Sequence, residues 1–252
     1  MPEIWTLSLV ITVAIAVFLY GFSKTAMPVA GVLAGPILAA VLTPAVASGF
    51  IVPLLILGDV FGLALYRQHA DWSLIRRLVP GVLAGFAITA LLFRFVDALT
   101  VGRILGVLIL VSVLLEVWRL RSEAGRAQDR PEMTHKLAIA FFGTLAGMTT
   151  MGANAGGAAM SLYLVKMRVS MLAFMGTSTW FFAILNLIKV PFVVALGLID
   201  ADSLIANAWF APALVIGAVV GAVTFRRMKP TVFIYAALLL SAVAACWLIV
   251  KG

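Results

Sequence analysis

Long apolar runs alternate with short polar connections along the chain. The pattern predicts helical segments at about 4–22, 26–42, 45–66, 76–94, 102–120, 136–150, 154–167, 171–198, 204–224 and 230–250. Most of these runs approach the roughly 20 residues that a helix needs to cross a bilayer, whereas a membrane barrel would read as alternating segments of about ten residues. The expected fold class is all-α: a polytopic membrane protein of two inverted repeats of about five helical segments, with broken or re-entrant helices at the start of each repeat.

The breaks are two stretches of small and hydroxylic residues set inside apolar runs. The first is Tyr20-Gly-Phe-Ser-Lys-Thr-Ala-Met-Pro28 and the second is Thr144-Leu-Ala-Gly-Met-Thr-Thr-Met-Gly-Ala-Asn-Ala-Gly-Gly157. Gly147, Gly152, Gly156 and Gly157 let the backbone turn or approach a partner, and Thr149, Thr150 and Asn154 supply donors and acceptors. Within a bilayer such a break requires protein or a wet cavity to satisfy the freed backbone groups. An offset of 126 places Gly21 on Gly147 and Lys24 on Thr150. Paired interruptions at corresponding positions of two halves point to the binding site of a transporter. The plainer alternative is close helix packing through small residues, and that reading is preferred for Gly81-Val-Leu-Ala-Gly85 and the similar Gly217-Ala-Val-Val-Gly221.

Charge then sets orientation. The 252 residues are 64% hydrophobic and 11% charged with net charge +8, which excludes a soluble globule. If each broken pair returns the chain to the side it entered from, thirteen Lys and Arg fall on the side that holds the loop 119–136. Arg94, Arg103 and Lys251 fall on the other, and Lys24 and Lys189 lie inside apolar runs. Letting each broken pair cross only once divides the loop charges nine to seven. The positive-inside rule favours the first arrangement, with a cytoplasmic central loop and both termini periplasmic. The halves are then inverted relative to each other, as an N-terminal transmembrane repeat 1–122, a cytoplasmic linker 123–135 and a C-terminal transmembrane repeat 136–252. Because the basic residues serve orientation, nucleic acid is not an expected partner. The N-terminal run starts with Glu3 and has no basic lead, so the first helix is expected to be retained. The single cysteine, Cys246, allows no intrachain disulfide.

Ionisable residues inside apolar runs cost about 2.5 kcal/mol or more on insertion scales, so they need partners or a wet cavity. Lys24, Asp59 and Lys189 are such residues, and an offset of 127 matches Asp59 to Asn186. Asn186 and Lys189 are three apart and share a helix face. The segment that carries them also holds Thr177, Ser178, Thr179 and Trp180. With Thr25 and the donors of the second break, these residues suit a polar, net-positive cavity for a small oxyanion, aided by helix N-termini at the breaks. The ordinary alternatives are a snorkelling Lys189 and a structural ion pair between Asp59 and a lysine. Glu116 is expected to pair with Arg119 at i, i+3. Asp59 is also the candidate for proton coupling, because an arriving anion would compete with it for a lysine.

Gly21-Phe-Ser-Lys-Thr-Ala26, Pro53-Leu-Leu-Ile-Leu-Gly-Asp59, Tyr66-Arg-Gln-His-Ala-Asp-Trp72, Asn154-Ala-Gly-Gly157 and Trp180-Phe-Phe-Ala-Ile-Leu-Asn-Leu-Ile-Lys189 resemble the TauE/SafE sulfite exporter family, also called the four-toluene sulfonate uptake permeases. The resemblance covers nearly the whole chain. It implies a multi-pass carrier of the bacterial inner membrane for sulfur-containing anions such as sulfite, sulfonates or sulfoacetate. Family members often carry Gly-x-Gly-Gly-Gly at the break; here only the second break keeps a glycine pair.

Other classes fit less well. A channel, or a carrier of other small organic anions, is the nearest alternative, but channels more often assemble rings of donors. An intramembrane enzyme would need a nucleophile with its base or a set of metal ligands, and His69 and His135 lie at membrane edges with no His-Glu-x-x-His spacing. A scaffold would have no use for Lys24, Asp59 and Lys189. No nucleotide motif is present, and neither cofactor nor metal is expected. The expected partners are the lipid bilayer, the anion and protons, with a homo-oligomer left open.

Overall fold

The computed structural model describes residues 5–39, 41–42, 44–92, 94–122, 136–153, 156–195, 197 and 199–251. Among them are ten α-helices and no strand: α1 (Leu7–Thr25), α2 (Ala34–Ala39), α3 (Pro44–Tyr66), α4 (Trp72–Leu92), α5 (Ala98–Ser122), α6 (Lys136–Ala153), α7 (Gly156–Lys166), α8 (Met171–Ala195), α9 (Ala201–Arg227) and α10 (Pro230–Lys251). Short 3-10 helices, Pro28–Leu33 and Arg67–His69, precede α2 and follow α3. Six segments of the described residues are long and apolar enough to cross a membrane, lying in α1, α3, α5, α8, α9 and α10. The helices start where capping chemistry allows. Thr6 accepts from Leu9 N at the head of α1. Asp200 and Ser203 form a reciprocal capping box at the head of α9. The Ser203 N–H and hydroxyl hold the Asp200 carboxyl below its usual range.

Helix persists further into both polar stretches than expected. α1 continues through Gly21, Ser23 and Lys24 to Thr25, and α6 continues from Thr144 to Ala153. The first break falls at Ala26 and Met27; residues 154 and 155 of the second stretch lie outside the described residues. Two of the hydroxyls bond back into their own helices, Ser23 Oγ donating to the Tyr20 carbonyl at 2.7 Å and Thr149 Oγ1 to the Leu145 carbonyl at 2.7 Å. The glycines are used for approach rather than turning. A Cβ on Gly21 would fall on the Leu214 carbonyl, and one on Gly147 would fall on the Val82 carbonyl.

The chain forms two compact units, each drawn from both halves of the sequence. The first is Met1–Ala70 with Met175–Met228, and the second is Asp71–Phe174 with Lys229–Gly252. In the first, α1 and α9 pack side by side. Gly217 sits against Phe18 and Phe22, and Gly221 against Phe22 and Thr25, so the two helices run parallel. The 3-10 turn and α2 fold back along α1, and α3 packs on α1 and α9. Val13, Val17, Leu38, Phe50, Leu54 and Phe210 lie in the resulting core. In the second unit α4 packs on α6 and α5 on α10. Gly81 meets Ala140 and Thr144 while Gly85 meets Thr144 and Met148, again a parallel crossing. Gly106, early in α5, lies against Ala245 and Ile249 late in α10, so that pair is antiparallel. α7 returns along α6, which brings Lys166 Nζ to 5.7 Å from the centre of the Phe142 ring.

Candidate functional site

In the first unit three helices meet at one carboxylate. Asp59, in the middle of α3 and 3% exposed, accepts from Lys24 Nζ of α1 at 2.5 Å on Oδ1 and from Asn186 Nδ2 of α8 at 2.6 Å on Oδ2. The approach of Lys24 depends on small neighbours: a Cβ on Gly58 would come within 2.9 Å of Lys24 Cγ, and one on Gly62 within 2.9 Å of the Lys24 carbonyl oxygen. The ammonium also lies 5.8 Å from the centre of the Phe182 ring. Lys189 is half-buried one helical turn beyond Asn186, where both Lys24 and Asp59 act on it electrostatically. Two lysines and one carboxylate are thus grouped on α1, α3 and α8. In a medium of low dielectric, opposite charges attract strongly and an unbalanced one is costly.

The other residues expected at the site are placed differently. Thr25 is fully buried, and its hydroxyl donates to the Ala218 carbonyl of α9 at 2.6 Å. Trp180 Nε1 donates to the Arg67 carbonyl at 3.2 Å. These donors are engaged with backbone, so an anion would have to displace a bond to use them. Thr177 and Ser178 are fully buried on α8, and Ser178 Oγ has no hydrogen-bond partner. Thr149 and Thr150 are buried in the second unit, and Asn154 lies outside the described residues. Among the described residues no three of His, Cys, Asp and Glu gather where they could ligate a metal.

The structure adds residues that sequence reasoning missed. Glu116 accepts from Lys166 Nζ at 2.7 Å in the second unit; the side chain of Arg119, its expected partner, lies outside the described residues. A bond between residues fifty positions apart has no local spacing to reveal it. Phe182 carried no signal beyond its hydrophobicity. Tyr66 stood inside a recognisable motif, yet nothing in the motif shows that its hydroxyl donates to the Thr25 carbonyl at 2.6 Å.

The model of the sulfite exporter TauE/SafE family matches residues 13–248. The chain belongs to this family. No curated protein and no solved structure matches it. As a TauE/SafE member it is a multi-pass membrane protein of a transporter family, in agreement with its six apolar spans. In this TauE/SafE chain Lys24 of α1, Asp59 of α3 and Lys189 of α8 are grouped in the first unit.

Proposed function

We propose that this chain is a secondary transporter of small sulfur-containing anions, such as sulfite, sulfonates and sulfoacetate-like compounds, coupled to protons and working by alternating access in the bacterial inner membrane. The observation that carries this reading is the meeting of Lys24, Asp59 and Asn186 inside apolar helices, with Lys189 one turn beyond Asn186. Lys24 and Lys189 attract the anion, with the Asn186 amide one turn from Lys189 on the same helix and the hydroxyls of Thr177 and Ser178 more than two turns further toward its N-terminus. The arriving anion competes with Asp59 for Lys24. A carboxylate that has lost its lysine then takes a proton from the aqueous side, so anion and proton cross together.

The inverted-repeat reading has support inside each unit. Asp59 and Asn186, matched by the offset of 127, touch each other, and residues related by a two-fold axis touch only near that axis. α3 and α8 are antiparallel there, with Thr179 against Gly62 and Gly176 against Tyr66, as an axis in the membrane plane requires. The glycine crossing of α1 on α9 also resembles that of α6 on α4. We therefore keep repeats 1–122 and 136–252 joined by the linker 123–135. For orientation, the Glu116–Lys166 bond brings the ends of α5 and α7 to one side. They would lie on opposite sides if each broken pair crossed only once. With the charge asymmetry, this supports a cytoplasmic central loop and periplasmic termini.

Sulfite titration of purified protein tests the site. Lys24→Gln and Lys189→Gln should each weaken binding about 100-fold or more, as expected when a charge-assisted contact is lost from a low-dielectric site. Undiminished binding in both would place the site elsewhere. For the orientation, a cysteine at Gln128 in a Cys246→Ser background should resist an impermeant thiol reagent in intact cells; ready labelling would reverse it.

A further inference from the structure

We propose that Tyr66 is a positioning residue for the anion site, and this rests on the reading of Lys24 given above. The last carbonyls of an α-helix have no partner within the helix. Thr25 ends α1, and its carbonyl is taken by the buried Tyr66 hydroxyl at 2.6 Å, while its own hydroxyl donates to Ala218 at 2.6 Å. The residue next to Lys24 is thus held from two sides, by α3 and by α9.

Tyr66 and Asp59 belong to one stripe of α3. Asp59, Gly62 and Tyr66 are spaced i, i+3 and i+7, so they line one face over about two turns. Along that face Tyr66 binds the backbone at the end of α1, Gly62 leaves room for the Lys24 carbonyl, and Asp59 receives the Lys24 ammonium. α3 therefore grips the end of α1 at two points about 10 Å apart along its axis, with the Lys24 carbonyl against Gly62 between them and the Lys24 stem against Gly58 beside Asp59. The grip on the backbone determines where the ammonium can reach. Tyr66 is itself seated by neighbours that do not need its hydroxyl. Its ring meets Phe225 of α9 edge-on at 5.2 Å, and Gly176 of α8 lies against its carbonyl. Tyr66→Phe accordingly removes the grip and leaves the packing.

The test is concentration-dependent sulfite transport in proteoliposomes, with Lys24→Gln in parallel. Tyr66→Phe should raise the half-saturating sulfite concentration about five- to tenfold, the effect of one buried hydrogen bond, with the maximal rate and the amount of folded protein close to wild type. A merely structural role would lower the maximal rate or the yield and leave half-saturation unchanged; that result, or wild-type behaviour throughout, overturns the proposal. Should Tyr66→Phe fail to fold, Phe225→Leu keeps the hydroxyl and loosens the ring. It should raise half-saturation in the same direction by a smaller factor, and no rise overturns the proposal. The control separates two failures. Intact transport in Lys24→Gln defeats the site itself, whereas its loss beside a silent Tyr66→Phe defeats only the positioning role.

Discussion

Each unit buries one lysine against one carboxylate, and the two pairs are built differently. In the first unit Asp59 has both oxygens engaged, by Lys24 and by Asn186, and a further lysine acts on the group. The pair lies within spans, with its side chains 10% and 4% exposed. In the second unit Glu116 is fully buried, but Lys166 is the last residue of α7 and its side chain is 17% exposed. The Glu116–Lys166 pair stands at the end of α7, where its lysine is more exposed than Lys24. It fastens the α6–α7 hairpin to α5. The first group adds a second lysine within electrostatic reach of its pair, which is the feature the proposed anion would use. Burial of an ion pair therefore does not by itself mark a binding site; what separates these two is the neighbouring second lysine.

The largest effect expected from this contrast is on binding. Loss of Lys24 or Lys189 should nearly abolish sulfite binding, while Lys166→Gln should leave the affinity within about twofold of wild type, because no transported charge depends on it. Equal losses in both units would erase the distinction. A smaller effect is expected on stability in detergent. Lys24→Met should cost about 3 kcal/mol, since it strands a buried carboxylate. Lys166→Met should cost about 1–2 kcal/mol, because the ammonium it removes was partly hydrated. Adding Asp59→Asn to the first and Glu116→Gln to the second should recover most of each loss, which thermal or denaturant unfolding of the two double variants would show. A second unit as costly to break as the first would mean that Lys166 is more deeply desolvated than its exposure implies.

The helices were legible because long apolar runs and basic loops are strong local signals; α3, α8 and α10 end within a few residues of their expected limits. α1 and α6 run on past their expected ends, to Thr25 and Ala153. Glycine and threonine suggest a turn when read locally, whereas Gly21 and Gly147 admit the backbones of α9 and α4, and Thr149 bonds back into its own helix. That use is tertiary. Lys24, Asp59, Asn186 and Lys189 were legible because polarity inside an apolar run is costly and because the repeat offset paired two of them. Thr25 and Trp180 were chosen for side-chain type alone, and their partners turned out to be backbone carbonyls. The grouping of residues into units was not legible at all, since each unit assembles α-helices from both halves of the chain.

The central claim is that Asp59 exchanges its lysine for a proton when an anion arrives. Uptake of sulfite into proteoliposomes, with and without an imposed pH gradient, compares wild type with Asp59→Asn. Asparagine keeps the size of the side chain and stands for the permanently protonated carboxyl. The account predicts that Asp59→Asn still binds sulfite but that its uptake no longer responds to the gradient. If the gradient drives Asp59→Asn as strongly as wild type, Asp59 is only the structural partner of Lys24 and the coupling proposed here is wrong.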